Sequence, residues 1–188
     1  MKIAVFGTNI SDEYKSKAEE VIHSFIANGF NVSIFKNFKT TLASASFSIG
    51  NLPEFTEIKE NSFDILLSLG GDGTFLKCAH LCYATNTPIL GINFGKLGFL
   101  AQTNPDDIDF IIKDIQNKKF SIRQRTVLDF SYATDKEILN GIGLNETPAS
   151  VFEIEKYEQP LLGPPWTAMY SASVFASIAE VEPVIITR

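Results

Sequence analysis

The sequence predicts an α/β protein: an open, mostly parallel βαβ domain over residues 1–119, then the incomplete start of a β-rich second domain over 120–188. Three observations carry that expectation. Short apolar runs at 3–6, 31–35, 63–69 and 88–92 alternate with segments whose apolar residues recur at three- and four-residue steps. Strands that alternate with helices bury their faces as parallel units joined by crossovers. After Phe120 the period shortens to strand-like alternation, and no long helical pattern follows.

The elements follow in order. Met1-Lys2-Ile3-Ala4-Val5-Phe6-Gly7 carries one charged side chain and an apolar run too brief for a signal-peptide core, so it reads as the first strand. Tyr14, Ala18, Val21, Ile22, Phe25 and Ile26 mark one face of an amphipathic helix stopped by Gly29. Residues 31–35 form a second strand, and 36–60, with Gly50 and Pro53, a less regular connection. The continuous apolar run 63–69 reads as a buried strand, followed by a glycine turn, a helix over 74–84 and a strand over 88–92. Ile108, Ile111, Ile112 and Ile115 place a short helix over 106–116, with Pro105 near its first turn. Phe120, Ile122, Val127, Leu128 and Phe130 lead to a turn at Thr134-Asp135-Lys136, and Ile138 and Leu139 return toward Asn145-Glu146, the first hairpin of the second domain. Residues 147–188 hold five prolines and no sustained periodicity, and they receive no assigned structure.

Composition narrows the function. Of the 188 residues 45% are hydrophobic and 20% charged, which suits a folded globular chain. A formal net charge of -6 argues against a nucleic-acid groove or an anionic membrane surface as the partner. No stretch reaches the roughly 18 apolar residues of a membrane span, so the expected location is cytoplasmic. Cys78 and Cys82 lie four apart on the helix after the glycine turn, with His80 pointing away; no second pair completes a metal site, and buried, reduced thiols are expected.

The glycine turn carries the chemistry. In Ser68-Leu69-Gly70-Gly71-Asp72-Gly73-Thr74, glycines behind a strand let main-chain N–H groups approach an anion, and the following helix adds its unpaired donors. Asp72 would repel phosphate, so its presence needs a different reason, such as accepting a hydroxyl proton or holding a metal ion or a substrate donor. Neither G-x-x-x-x-G-K-[ST] nor a G-x-G-x-x-G in its strand-to-helix setting occurs. A tight turn with no ligand is the competing reading. The second glycine segment, Gly95-Lys96-Leu97-Gly98-Phe99-Leu100, leaves the next strand on the same sheet edge; its glycines permit close approach of a flat ligand, and Phe99 either stacks on a base or seals the interior. Asn145-Glu146 pairs a donor with an acceptor suited to ribose hydroxyls.

Taken together, the three segments resemble the NAD kinases. The family's glycine-aspartate motif stands here as Gly70-Gly71-Asp72-Gly73-Thr74, its second motif as Gly91-Ile92-Asn93-Phe94-Gly95-Lys96-Leu97-Gly98-Phe99-Leu100, and its third as Leu144-Asn145-Glu146, in order over residues 1–146. The resemblance implies phosphoryl transfer from ATP, or another phosphate donor, to the 2′-hydroxyl of the adenosine ribose of NAD, giving NADP with a divalent metal such as magnesium. It implies Asp72 as the proton acceptor, Gly71 and Gly73 as main-chain contacts to the dinucleotide, Phe99 in the adenine pocket, and Asn145 and Glu146 at the ribose or nicotinamide end. Lys77 becomes a contact to ligand phosphate or ribose, against its reading as a solvated helix lysine. Arg125 resembles a family arginine and is expected in a structural ion pair. The intact family member is expected to be a homo-oligomer.

The match breaks after Glu146. The family continues with Asp-Gly-Leu-Ile and Thr-Pro-Thr-Gly-Ser-Thr-Ala-Tyr segments; Thr167-Ala168 and Tyr170-Ser171 echo the latter, but Met169 interrupts them, and those roles are not transferred. The expectation is a truncated copy with impaired activity, the alternative a non-catalytic nucleotide-binding remnant. Diacylglycerol and sphingosine kinases share Gly-Gly-Asp-Gly-Thr, but there an Asn-Glu pair usually follows at once, where this chain has Phe75-Leu76.

Overall fold

The computed structural model describes residues 1–42, 47–95, 98, 100–133, 138–145, 175–177 and 184–187. The chain forms two compact units, Met1–Gln124 with Val181–Arg188, and Arg125–Glu180.

The first unit is built on a seven-stranded sheet of order β3-β2-β1-β4-β5-β10-β6. Its strands are β1 (Lys2–Gly7), β2 (Asn31–Phe35), β3 (Glu54–Phe55), β4 (Ile65–Leu69), β5 (Ile89–Ile92), β6 (Ser121–Gln124) and β10 (Val184–Thr187). All neighbours pair in parallel except β6 and β10. The open, mostly parallel α/β sheet expected from the sequence is therefore present. Every residue of β4 is buried, as a central strand covered on both faces requires.

Alternation along the strands sorts the core. Ile3, Val5, Ile65, Leu67, Leu69, Leu90 and Ile92 share one cluster with α1 (Asp12–Ala27) and α5 (Ile108–Gln116). Helix α1 contributes Ala18, Val21, Ile22 and Phe25, and ends before Gly29, whose φ of 82° suits a residue without Cβ. Ile22 is fully buried, so Ile22→Val, which removes one methylene, is expected to cost about 1 kcal/mol of unfolding free energy in urea titration. On the other face lies α4 (Asp72–Cys82): a Cβ at Gly91 would stand 2.8 Å from the Phe75 ring, and Phe75 and Cys78 are fully buried. Both cysteines are free and buried, as expected. Burial pushes the Cys78 thiol far up and the Cys82 thiol up to about 12. Thiolate is the reactive form, so neither is expected to react with an aromatic disulfide reagent at pH 8 until denaturant is added.

Three expectations change. The helix placed over 74–84 runs Asp72–Cys82, because the Gly71 carbonyl already accepts from the Thr74 and Phe75 N–H groups. The helix placed over 106–116 opens as a 3-10 turn, Pro105–Asp107, capped by Asn104, whose side chain accepts from the Asp106 N–H. The connection 36–60 contains α2 (Lys36–Thr41), α3 (Phe47–Gly50) and β3, elements too short to show a period. The first unit runs through Gln124, since β6 pairs antiparallel with β10, which joins the first sheet beside β5.

The second unit holds the expected hairpin. β7 (Thr126–Ala133) pairs antiparallel with β8 (Ile138–Asn145), from Thr126 opposite Asn145 to Ala133 opposite Ile138, and β9 (Phe175–Ser177) adds to the other side of β7. The turn at 134–136 lies outside the described residues. No described helix is long and apolar enough to cross a membrane.

Candidate functional site

The chain runs from β1 outward to β2 and β3, then crosses back to β4 on the other side of β1. The carboxyl ends of β1 and β4 therefore flank the point where strand order reverses, the place where open α/β sheets form a ligand crevice. The glycine turn leaves β4 at that point.

Gly70 has a φ of 153°, and a Cβ there would overlap the Thr74 hydroxyl and lie 2.9 Å from its Cβ. Only glycine fits both constraints. The Gly70 N–H donates to the Ile92 carbonyl at 3.0 Å, tying the turn to β5. Thr74 Oγ1 lies 3.1 Å from Thr8 Oγ1, tying it on the other side to the loop after β1. Gly71 is the N-cap of α4 and Asp72 its first residue, where helix partial charge favours an anion.

The loop after β5 is folded back on itself by Asn93, only 5% exposed. Its main-chain N–H donates to the Thr103 carbonyl (2.8 Å), its Nδ2 donates to the Ala101 carbonyl (3.1 Å), and its Oδ1 accepts from the Gly95 N–H (3.0 Å). That arrangement aims two further main-chain donors at the glycine turn. The N–H groups of Leu100 and Ala101 both donate to Asp72 Oδ1, at 3.1 and 3.0 Å. Gly98 completes the seat, because a Cβ there would overlap the Asp72 carboxylate.

The carboxylate among the glycines is thus fastened to the neighbouring loop by charge-assisted hydrogen bonds, and it is half-buried. A carboxylate accepts hydrogen bonds and donates none, so an oxygen fixed in this way is an acceptor held in one position. The result is a positioned acceptor at the strand switch, with exposed Gly71 and Gly73 beside it.

The sequence-predicted residues divide accordingly. Gly71, Asp72 and Gly73 come together at the switch, and exposed Lys77 lines a cavity beside the loop after β1. Asn145 ends β8 in the second unit. Phe99 and Glu146 lie outside the described residues. Sequence reasoning missed Asn93, Thr8 and the amides of Leu100 and Ala101, and it assigned Gly98 to ligand approach where the structure has it make room for Asp72. A polar residue directly behind an apolar strand was the available signal for Asn93.

Comparisons with known proteins agree with this geometry. Residues 3–120 match the ATP-NAD kinase N-terminal domain. The chain is 34% identical over 158 residues to an NAD kinase of Flavobacterium psychrophilum, covering 80% of this chain and 52% of that protein. It is 33% identical over 149 residues to an NAD kinase of Bacteroides fragilis, covering 78% and 50%. The chain spans about half the length of these relatives. The fold is similar to yeast NADH kinase in its crystal structure with NADH, with a TM-score of 0.59 and 18% identity over 76% of this chain and 46% of that one. With a switch-point glycine turn, an aspartate seated by the next loop and a domain match over residues 3–120, the chain belongs to the NAD kinase family.

Proposed function

We propose that this chain carries the acceptor-activating half of an enzyme that transfers a phosphoryl group from ATP, or another phosphate donor, to the 2′-hydroxyl of the adenosine ribose of NAD, giving NADP. The observation that supports this reading is the Asp72 carboxylate held at the strand switch by the Leu100 and Ala101 amides. In the reaction the 2′-oxygen forms a bond to the terminal phosphorus, the bond from that phosphorus to the bridging oxygen breaks, and the hydroxyl proton passes to Asp72. An unaided carboxylate is a weak base for a ribose hydroxyl, so most of the rate comes from positioning and from stabilising charge on the donor.

The main-chain groups of Gly71 and Gly73 contact the dinucleotide, Phe99 lines the adenine pocket, and Asn145 and Glu146 bind the ribose or nicotinamide end. These assignments rest on the family motifs. The family also implies a divalent cation, magnesium by preference, which would neutralise donor phosphate charge. Among the described residues no group of three or more His, Cys, Asp or Glu is placed to hold one. A small hard cation is commonly held by one or two carboxylates with substrate phosphates, and no step here is routed through it. A cytoplasmic homo-oligomer is the setting this reading carries.

The test is turnover with NAD, ATP and magnesium, with the product resolved by phosphorus NMR. The expected product carries its new phosphate on the adenosine 2′-oxygen. Phosphate on any other position, or no NADP, overturns the proposal.

A further inference from the structure

The loop after β5 reaches Asp72 in part through Ala101, which is fully buried and held from three sides. Its N–H donates to Asp72 Oδ1 at 3.0 Å, and its carbonyl accepts from Asn93 Nδ2 at 3.1 Å. Its Cα and Cβ pack over Gly91, where an added Cβ would stand 3.0 Å from each. Gly91 and Asn93 are two residues apart at the end of β5, so they share the face that Ala101 covers. Ile92 and Phe94, on the opposite face, belong to the core cluster, and the Phe94 ring stacks on Tyr14 of α1 with centroids 6.1 Å apart. Asn93 is thereby fixed by both of its neighbours.

The side chain at this position does what few others could. An amide carries a donor and an acceptor on one short tether. Oδ1 accepts from the Gly95 N–H, where the chain leaves the strand, and Nδ2 donates to Ala101, where it comes back. The main-chain N–H of Asn93 donates to the Thr103 carbonyl, next to a parallel bridge between Ile92 and Thr103. An ionised aspartate lacks the donor, and glutamine is one methylene longer. The carbonyl and the N–H of Ala101 belong to adjacent peptide planes that share its Cα, so the Asn93 contact orients the N–H and does not polarise it. Orientation is what a positioned acceptor needs, because a displacement of about 1 Å can cost about a hundredfold in rate.

We propose that Asn93 is a positioning residue for the reaction: acting through Ala101, and not by contact with the dinucleotide, it sets where Asp72 Oδ1 stands. The hold on Asp72 is a property of this chain alone, while its consequence for the 2′-hydroxyl rests on the functional reading above.

Asn93→Asp and Asn93→Ala, compared with Asn104→Ala, test it. Asn93→Asp keeps the shape and the acceptor to Gly95 and puts an oxygen in place of the donor to Ala101. Asn93→Ala adds no buried charge, so the two variants do not fail for the same reason. Asn104 accepts from the Asp106 N–H further along the same connection and serves as the structural control. Amide hydrogen exchange, read by NMR on the full chain against the buried β4 amides, reports the hold on Asp72 directly. Leu100 and Ala101 are expected to exchange at least about tenfold faster in both Asn93 variants, and within about twofold of the parent in Asn104→Ala. Calorimetry then reads the consequence. NAD affinity is expected to fall about tenfold with Asn93→Asp in the parent, and by less than about twofold in the Asp72→Asn background, where the contact it positions is already gone. Unchanged exchange at Leu100 and Ala101 in both Asn93 variants overturns the proposal. Faster exchange with NAD affinity intact overturns it too, by making Asn93 structural, as does an equal fall in both backgrounds, by making Asn93 act apart from Asp72. A parent that binds no NAD sinks the functional reading instead, and the exchange rates still decide whether Asn93 holds Asp72 in place.

Discussion

Asp72→Asn is expected to lower NADP formation by about 10²- to 10⁴-fold, the range usual for losing a positioned general base. The amide is nearly isosteric with the carboxylate, and its oxygen still accepts from the Leu100 and Ala101 N–H groups, so the loop stays seated. What disappears is the negative charge and the capacity to take a proton. Thermal unfolding should therefore shift far less than activity does. A variant within threefold of the parent in turnover would remove Asp72 from the chemistry, while a collapse of stability in step with activity would make it a structural residue.

Gly98→Ala is the second large effect, and it acts through the same carboxylate from the opposite side. The added Cβ overlaps the Asp72 carboxylate, so either the side chain leaves the two amides or the loop moves away from the turn. Both outcomes break charge-assisted hydrogen bonds worth about 1.5–3 kcal/mol each. We expect a loss of about 3 kcal/mol in urea titration, together with at least a hundredfold fall in turnover, the lower end of the general-base range. Gly95→Ala is the matched control: the nearest atom to a Cβ there is Asn93 Oδ1 at 3.8 Å, ordinary contact distance. It should change stability by no more than about 0.5 kcal/mol. Equal effects from the two glycines would show that the loop, rather than the seat of Asp72, is being measured.

This pair of glycines also marks how far the sequence could be read. The glycine turn was legible because it combines a buried apolar run, residues without Cβ and a helical pattern in one short stretch. Helices α1 and α5 were legible from their apolar stripes. The seat of Asp72 was not, since its donors are main-chain N–H groups 28 and 29 residues away, and every non-proline residue carries one. Gly98 could be recognised as needing space, but not whose space it yields.

The pairing of β6 with β10 was hidden for a related reason. Ser121–Gln124 alternates like any strand, and nothing in four residues says that its partner is Val184–Thr187, beyond the proline-bearing tail. The short elements α2, α3 and β3 escaped because a helical period needs more than one turn to declare itself. Yet α2 supplies Asn37 and Thr41 to the cavity beside Lys77, so the irregular connection in the sequence contributes a wall of that cavity.

Whether Asp72 faces the adenosine 2′-hydroxyl of NAD is read out most cleanly by binding rather than turnover. The affinities of the parent chain and of Asp72→Asn should be measured calorimetrically for NAD and for NAD lacking that hydroxyl. The parent is expected to lose at least tenfold in affinity with the deoxy analogue, as for a hydrogen bond to a charged group, and Asp72→Asn to discriminate far less between the two. Discrimination that survives intact in Asp72→Asn would place the hydroxyl elsewhere and contradict the role given to Asp72.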